Sequence, residues 1–289
     1  MNNSIGRINF LIAGSNSGLV DTLMLASINM ARKNITLVSI PRDLYYNSRK
    51  INSIYSSFGI EELKRTIATI SGYRIDKYIM IDMYAFIEVI DLLGGVDVHL
   101  DQAVIDPTYK VLDGDQWSTL YYPAGDHHLS GKEALRLART RHTTSDFARA
   151  ARQQMIVKAL QKKALNLGLG DAGTISKLAA TVLAKTTTDI NPVEALTYYF
   201  RYQHFQIRGG NVLSSGNILD ATYTGDLKRQ EEHCERVANI DFSKADVPSD
   251  TIALKKLCDS IQKGQYILQP RGGNFRAVQN YVRGIVEKD

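Results

Sequence analysis

The chain has 289 residues, 44% of them hydrophobic and 22% charged, which is globular composition and enough for one large domain or two modest ones. Its formal net charge is +5, an excess that suits an acidic partner without demanding nucleic acid. No zinc-finger spacing and no basic tract interleaved with aromatics supports a nucleic-acid-binding reading.

No stretch is apolar enough for long enough to span a bilayer. The start, MNNSIGRINFLIAGSNSG, lacks the basic opening and long apolar run of a signal peptide. The expectation is a cytosolic protein or a domain of a longer chain. Ile8–Ala13 is an apolar run ending at Gly14 and predicts a buried strand, followed by a small polar loop to Gly18. Asp21-Thr22 opens TLMLASI, and after a turn at 30–34 the β-branched run Ile35–Ile40 predicts the second arm of a hairpin. Pro41 ends that strand and leaves Arg42 and Asp43 at its carboxyl end, where ligands gather in open α/β sheets.

Residues 51–59 and 60–71 carry helical periodicity through Leu63, Ile67 and Ile70. A strand at 78–81, a helix at 84–93 closed by Gly94-Gly95 and a strand at 96–100 continue the alternation. Residues 101–128 predict an excursion or irregular hairpin rather than a core element. Ser130 and Glu133 form a capping box for a helix through Ala138, and Asp146 can cap a longer helix to about 167. Asn191-Pro192 marks another helix start, and Asn274 caps a last helix after a strand at 266–268. Residues 206–262 show no period. No repeat or linker divides the chain, so one domain over 1–289 is expected. Cys234 and Cys258 lack a CxxC or a nearby histidine pair, leaving one disulfide or two buried thiols.

The densest charge lies in Leu129–Gln154, LSGKEALRLARTRHTTSDFARAARQQ. Arg139 and Arg141 are two apart, while Asp146, Arg149 and Arg152 are three apart, a spacing that shares a helix face. Brought together, such guanidinium forks capture phosphate oxygens bidentately. Alone, a charge run of this kind is usually a solvated face.

The ordered set of motifs resembles the LytR-CpsA-Psr family of bacterial cell-wall proteins. It comprises Gly14 and its loop, Asp21-Thr-Leu-Met-Leu, Ser39-Ile-Pro-Arg-Asp43, Lys50-Ile-Asn52, Ile75-Asp-Lys-Tyr78 and Leu92-Leu-Gly-Gly-Val96. Leu129-Ser-Gly-Lys-Glu-Ala-Leu135, Arg139-Thr-Arg141 and Asp146-Phe-Ala-Arg149-Ala-Ala-Arg152-Gln153 complete it, within residues 8–165. The resemblance implies a three-layer α/β/α sandwich with a central mixed sheet flanked by helices. It implies a phosphotransferase at the extracytoplasmic face of the cell membrane, normally tethered by an N-terminal transmembrane anchor, which is expected to be absent from these residues. The implied reaction moves a glycan phosphate from a polyprenyl-pyrophosphate carrier to peptidoglycan or another cell-wall acceptor, with Mg²⁺ at the pyrophosphate.

Carried over to this chain, Arg42, Lys50, Arg139, Arg141, Arg149, Arg152 and Gln153 would hold pyrophosphate. Arg42, Asp43, Arg139, Arg141 and Asp146 would serve catalysis, and Asp21 with Asn16 would hold the metal. The family usually has an acid where Asn16 stands and an arginine shortly before Asp21, where this chain has Leu19-Val20. That departure keeps a second reading open, non-catalytic binding of polyprenyl phosphates or pyrophosphates. Of the other polar residues, His127-His128 read as a surface pair and His142 as a loop histidine. Trp117 and Tyr121-Tyr122 read as cover for a local core. Arg208 reads as an exposed turn, with Arg271 evenly balanced between a turn and a phosphate contact.

Overall fold

The computed structural model describes residues 6–16, 18–113, 116–140, 146–165, 179–184, 186–224 and 265–288. The central sheet is built on β1 (Arg7–Asn16), β2 (Leu19–Asn29) and β3 (Asn34–Ser39), consecutive antiparallel strands. It extends beyond β1 through β6 (Lys77–Ile81), parallel to β1, and β11 (Thr186–Thr188), antiparallel to β6. Beyond β3 it gains β12 (Gln206–Val212) in parallel pairing, so the sheet is mixed.

Alternation along β1 and β2 sends side chains to two apolar layers. Leu11, Ala13, Leu23 and Leu25 meet α1 (Ile54–Ser71) and α6 (Phe275–Val286) through Leu63, Ile67, Val278 and Val282. Phe10, Met24, Ala26 and Ile28 meet Tyr202 of α5 (Pro192–Tyr202), Phe205 and Val157 of α4 (Asp146–Leu165). Each fully buried large side chain contributes roughly 1.5–3 kcal/mol, and the double-sided burial explains why these strands read as unbroken apolar runs. The layers are helix, mixed sheet, helix, as expected.

Three segments differ from the sequence reading. The loop expected from Gly14 to Gly18 is largely hairpin, since β1 runs to Asn16 and β2 begins at Leu19. Gly14 faces Thr22 while Ser15 faces Val20, so Asp21 is the extra residue of a β-bulge, a device that re-aims a side chain.

The second is 101–128, where the irregular hairpin is present but belongs to a core. β8 (Val104–Asp113) and β9 (Gln116–Tyr122) form a hairpin with a register break between Asp106 and Lys110. β10 (Gly125–Leu129) pairs with β7 (Val96–Leu100). Val104, Val111, Leu120 and Tyr122 pack with Ile90 of α2 (Met83–Leu92), Leu137 of α3 (Gly131–Arg139) and Ile156 of α4. The register break scrambles the alternation by which a half-buried strand is read. Third, the aperiodic stretch after 206 supplies β12 and β13 (Leu219–Thr224), the latter paired with β14 (Gln265–Pro270).

α3 begins with the expected Ser130–Glu133 capping box and presses on α2 at Gly131. A Cβ there would lie 2.3 Å from the Ile87 carbonyl oxygen and 2.7 Å from its Cα. Gly131→Ala is therefore expected to destabilise the fold by about 1–3 kcal/mol through overpacking against rigid backbone, read as a lowered denaturant midpoint; an unchanged midpoint would contradict the packing.

Candidate functional site

β3 delivers its ladder's last bond from the Ile40 N–H to the Leu23 carbonyl, and Pro41 then turns the chain so that Arg42 and Asp43 emerge at the sheet's rim. Asp43 is 6% exposed. A carboxylate so placed needs cationic partners, because desolvating an unpaired charge costs several kcal/mol. Lys50 Nζ donates to its Oδ1 at 2.8 Å, and Arg42 Nε lies 3.6 Å from Oδ2. Lys50 is held there by the short hairpin of β4 (Tyr45–Tyr46) and β5 (Arg49–Lys50). Arg42 also forms an ion pair with Asp21 at the bulge. The chain Asp21–Arg42–Asp43–Lys50 thus alternates in sign.

The second wall comes from α4, where Arg149 and Gln153 are one helical turn apart. Behind them Gln154, 1% exposed, donates from Nε2 to Ser39 Oγ at 2.8 Å and to the Asn211 carbonyl at 2.9 Å. That side chain pins α4 to both β3 and β12. Arg152 turns the other way. Its Nε donates to the Leu137 carbonyl at 3.1 Å and its Nη2 to the Thr140 carbonyl at 2.6 Å, satisfying the end of α3. Burial lowers the Arg152 pKa below the usual arginine value, neighbouring Arg149 lowers it further, and Asp106 opposes both.

The third wall lies in the part of the chain whose period was unreadable. The Leu213 N–H donates to the Ser39 carbonyl at 3.0 Å, and the Leu268 N–H donates to the Asp43 carbonyl at 3.0 Å. These bonds bring Ser214–Asn217 and Tyr266 over the rim. Asn217 folds its own loop, accepting from the Ser214 N–H at 2.8 Å and donating to the Val212 carbonyl at 2.8 Å. The resulting cavity, open to solvent on one side, has a volume of about 690 Å³ and is lined by Asp21, Arg42, Arg149, Gln153, the 214–217 loop and Tyr266 over an apolar floor including Leu23 and Ile40. That size and mix suit a ligand with a charged group and an apolar part.

Of the residues expected at the site, Asp21, Arg42, Arg149 and Gln153 converge on this cavity, with Asp43 and Lys50 directly behind Arg42. Arg139 does not line it and stands exposed at the end of α3. Arg152 does not line it either, because its guanidinium is engaged by α3 carbonyls. Asn16 sits at the β1–β2 turn opposite Leu19 rather than in the lining. Asp146 opens α4. Arg141, His142, Cys234 and Cys258 lie outside the described residues. Among the described residues no group of three or more His, Cys, Asp or Glu is placed to hold a metal. Arg271 donates to the Ser215 carbonyl at 3.2 Å and pairs with Asp220, so it props the cavity loop. Arg208 donates to the Lys288 carbonyl, and His128 pairs with Asp97 at the surface.

The sequence reading missed Ser214–Asn217 and Tyr266, which reach the site only through tertiary pairing. It also missed Asp106, 3% exposed, whose Oδ1 accepts from the Thr108 and Tyr109 N–H groups at 3.1 and 3.0 Å. Asp-Pro-Thr is an Asx-turn signal that could have found it.

Arg152→Lys is expected to lower stability by about 1–3 kcal/mol, since one ammonium cannot reproduce the planar fork that serves two carbonyls. Chemical denaturation measures this, and wild-type stability in the variant would contradict the strut role.

The LytR_cpsA_psr family model matches residues 2–233. The chain is 30% identical over 207 residues to the polyisoprenyl-teichoic acid–peptidoglycan teichoic acid transferase TagV of Bacillus subtilis strain 168, covering 68% of this chain and 51% of TagV. It is 29% identical over 174 residues to the regulatory protein MsrR of Staphylococcus aureus strain COL, covering 56% of this chain and 50% of MsrR. The chain thus spans about half the length of the curated relatives it matches. In fold it superposes on the crystal structure of B. subtilis TagV with a TM-score of 0.67 at 22% identity, over 100% of both chains. It superposes on TagT bound to LI-WTA with a TM-score of 0.63 at 17% identity, over 99% of this chain and 93% of TagT. The chain belongs to the LytR-CpsA-Psr family.

Proposed function

We propose that this protein transfers a glycan phosphate from a polyprenyl-pyrophosphate carrier to a cell-wall acceptor such as peptidoglycan, at the outer face of a bacterial membrane. The observation that carries the reading is the convergence of Arg42, from the end of β3, and Arg149, from α4, on one cavity. TagV is named a polyisoprenyl-teichoic acid–peptidoglycan teichoic acid transferase, which supports the class of donor and acceptor.

In this reading an acceptor hydroxyl oxygen attacks the glycan-bearing phosphorus. A new P–O bond forms, the bond to the bridging oxygen breaks, the prenyl phosphate leaves with the electron pair, and the hydroxyl proton is released to water. Charge grows on the departing oxygens, and preorganised guanidinium donors stabilise it without rearranging. Asp21 and Asp43 fix Arg42 from two sides, so its fork is set before the ligand arrives. Asp43 is enclosed by Lys50 and Arg42, which suits a counter-ion rather than a base for the acceptor hydroxyl. An apolar cleft of about 230 Å³ between Phe10, Ile79 and the helices at 179–184 and Pro192–Tyr202 offers surface for a prenyl chain.

Mg²⁺ is commonly held by one or two carboxylates together with substrate phosphates, and Asp21 is the carboxylate in the cavity lining, with Asn16 a neutral oxygen at the same hairpin's turn. Bound there, Mg²⁺ would supply Lewis-acid stabilisation of phosphate charge. With Asp21 the carboxylate in the lining, a second reading stands beside this one, a prenyl-pyrophosphate binder without turnover.

Transfer of radiolabelled lipid-linked glycan to peptidoglycan separates the two. Arg42→Ala is expected to lower kcat/KM by about a hundredfold, the scale of losing one preorganised donor, and Arg42→Lys to recover only part of it. Wild-type protein that retains prenyl pyrophosphate yet turns nothing over with any divalent cation would establish the binder instead.

A further inference from the structure

A second groove lies on the far side of the β4–β5 hairpin from the phosphate cavity. Its volume is about 410 Å³, between that hairpin and the first turns of α1. Neighbouring residues on a strand point to opposite sides. Lys50 accordingly reaches Asp43, while Arg49 lines the groove and lays its guanidinium 4.5 Å from the centre of the Phe58 ring. Phe58 is 54% exposed, a large aromatic left at the surface at the groove's edge. Tyr46, opposite Arg49 in the hairpin, lines the groove from its other strand and is braced by Phe275 at 5.6 Å.

The polar lining is balanced in charge. Arg49 and Arg65 face Glu61 and Glu62, and Glu62 already bonds Arg65 at 3.0 Å. An ionic ligand would meet carboxylates already paired, Glu62 with Arg65 and Glu61 with Lys64 at 3.2 Å, in contrast to the arginine-walled phosphate cavity. Deeper in, Thr66 is 1% exposed and its hydroxyl has no hydrogen-bond partner. Leaving a buried hydroxyl unpaired costs on the order of 1–3 kcal/mol, so it holds hydrogen-bonding capacity in reserve for an occupant. Aromatic faces framed by carboxylate, guanidinium, amide and hydroxyl groups match a neutral ring with apolar C–H faces and a rim of hydroxyls.

We propose that this groove binds a neutral sugar ring of the acceptor glycan, placing it one hairpin away from the phosphate cavity. The role as acceptor site rests on the transferase reading above; the binding of sugar does not. No covalent step is involved.

The test titrates the full chain with a soluble disaccharide–peptide cut from peptidoglycan, and separately with the stem peptide alone, following amide chemical shifts. Saturable binding of the disaccharide–peptide is expected, weakened about tenfold by Phe58→Ala, the scale of one lost aromatic contact. Thr66→Val keeps the shape and removes the hydroxyl, so it should raise Tm while weakening binding several-fold. No saturable binding by the wild type, equal binding of stem peptide alone, or unchanged affinity in both variants would overturn the proposal. Binding of a short-chain prenyl pyrophosphate to the wild type, measured alongside, reports on the phosphate cavity separately, so the failure of either reading is distinguishable from the failure of the other.

Discussion

Asp43 sets the constraint on which the rest of this site depends. A carboxylate held almost out of water at the rim of a sheet must be neutralised, and the fold supplies Lys50 from a hairpin and Arg42 from the adjacent backbone position. Arg42 then carries a second carboxylate, Asp21, presented by a bulge. The outcome is a guanidinium whose position is fixed by counter-charges behind and beside it. The Asp43 carbonyl also accepts from Leu268, so the same residue ties the distant C-terminal strand to the site. Charge neutralisation and cavity closure are in this way one event.

α4 shows how adjacent residues of one helix divide their work. Arg149 and Gln153 line the cavity, Arg152 terminates α3, and Gln154 bolts the helix to β3 and β12. With 3.6 residues per turn, a step of four stays within about 40° of its starting direction, whereas a step of three falls short by about 60°. Two steps of three therefore leave a face that one step of four keeps. That drift is why Arg152 departs from the wall that the Asp146–Arg149–Arg152 spacing suggested.

Much of this was legible in the residues themselves. The unbroken apolar runs of β1 to β3, Pro41 closing a strand before Arg42-Asp43, and the caps at Ser130, Asn191 and Asn274 report local constraints, and the structure bears them out. What escaped was relational. That Asp21 occupies a bulge is a property of register between two strands. The membership of 104–122 in a core depends on a register break, and the reach of Ser214–Asn217 over the site depends on two backbone bonds to Ser39 and Asp43. No window of sequence contains both ends of those contacts. Family order supplied part of what periodicity could not, by setting Arg42 beside an arginine of α4 more than a hundred residues away.

The account stands or falls on where a pyrophosphate sits. A crystal structure with a short-chain prenyl pyrophosphate answers this directly, without turnover. The account predicts phosphate oxygens within hydrogen-bonding distance of both the Arg42 and Arg149 guanidinium groups, inside the cavity closed by Ser214–Asn217. A pyrophosphate bound instead at the exposed Arg139, or anywhere that leaves Arg42 paired with Asp21 and Asp43 alone, would contradict it.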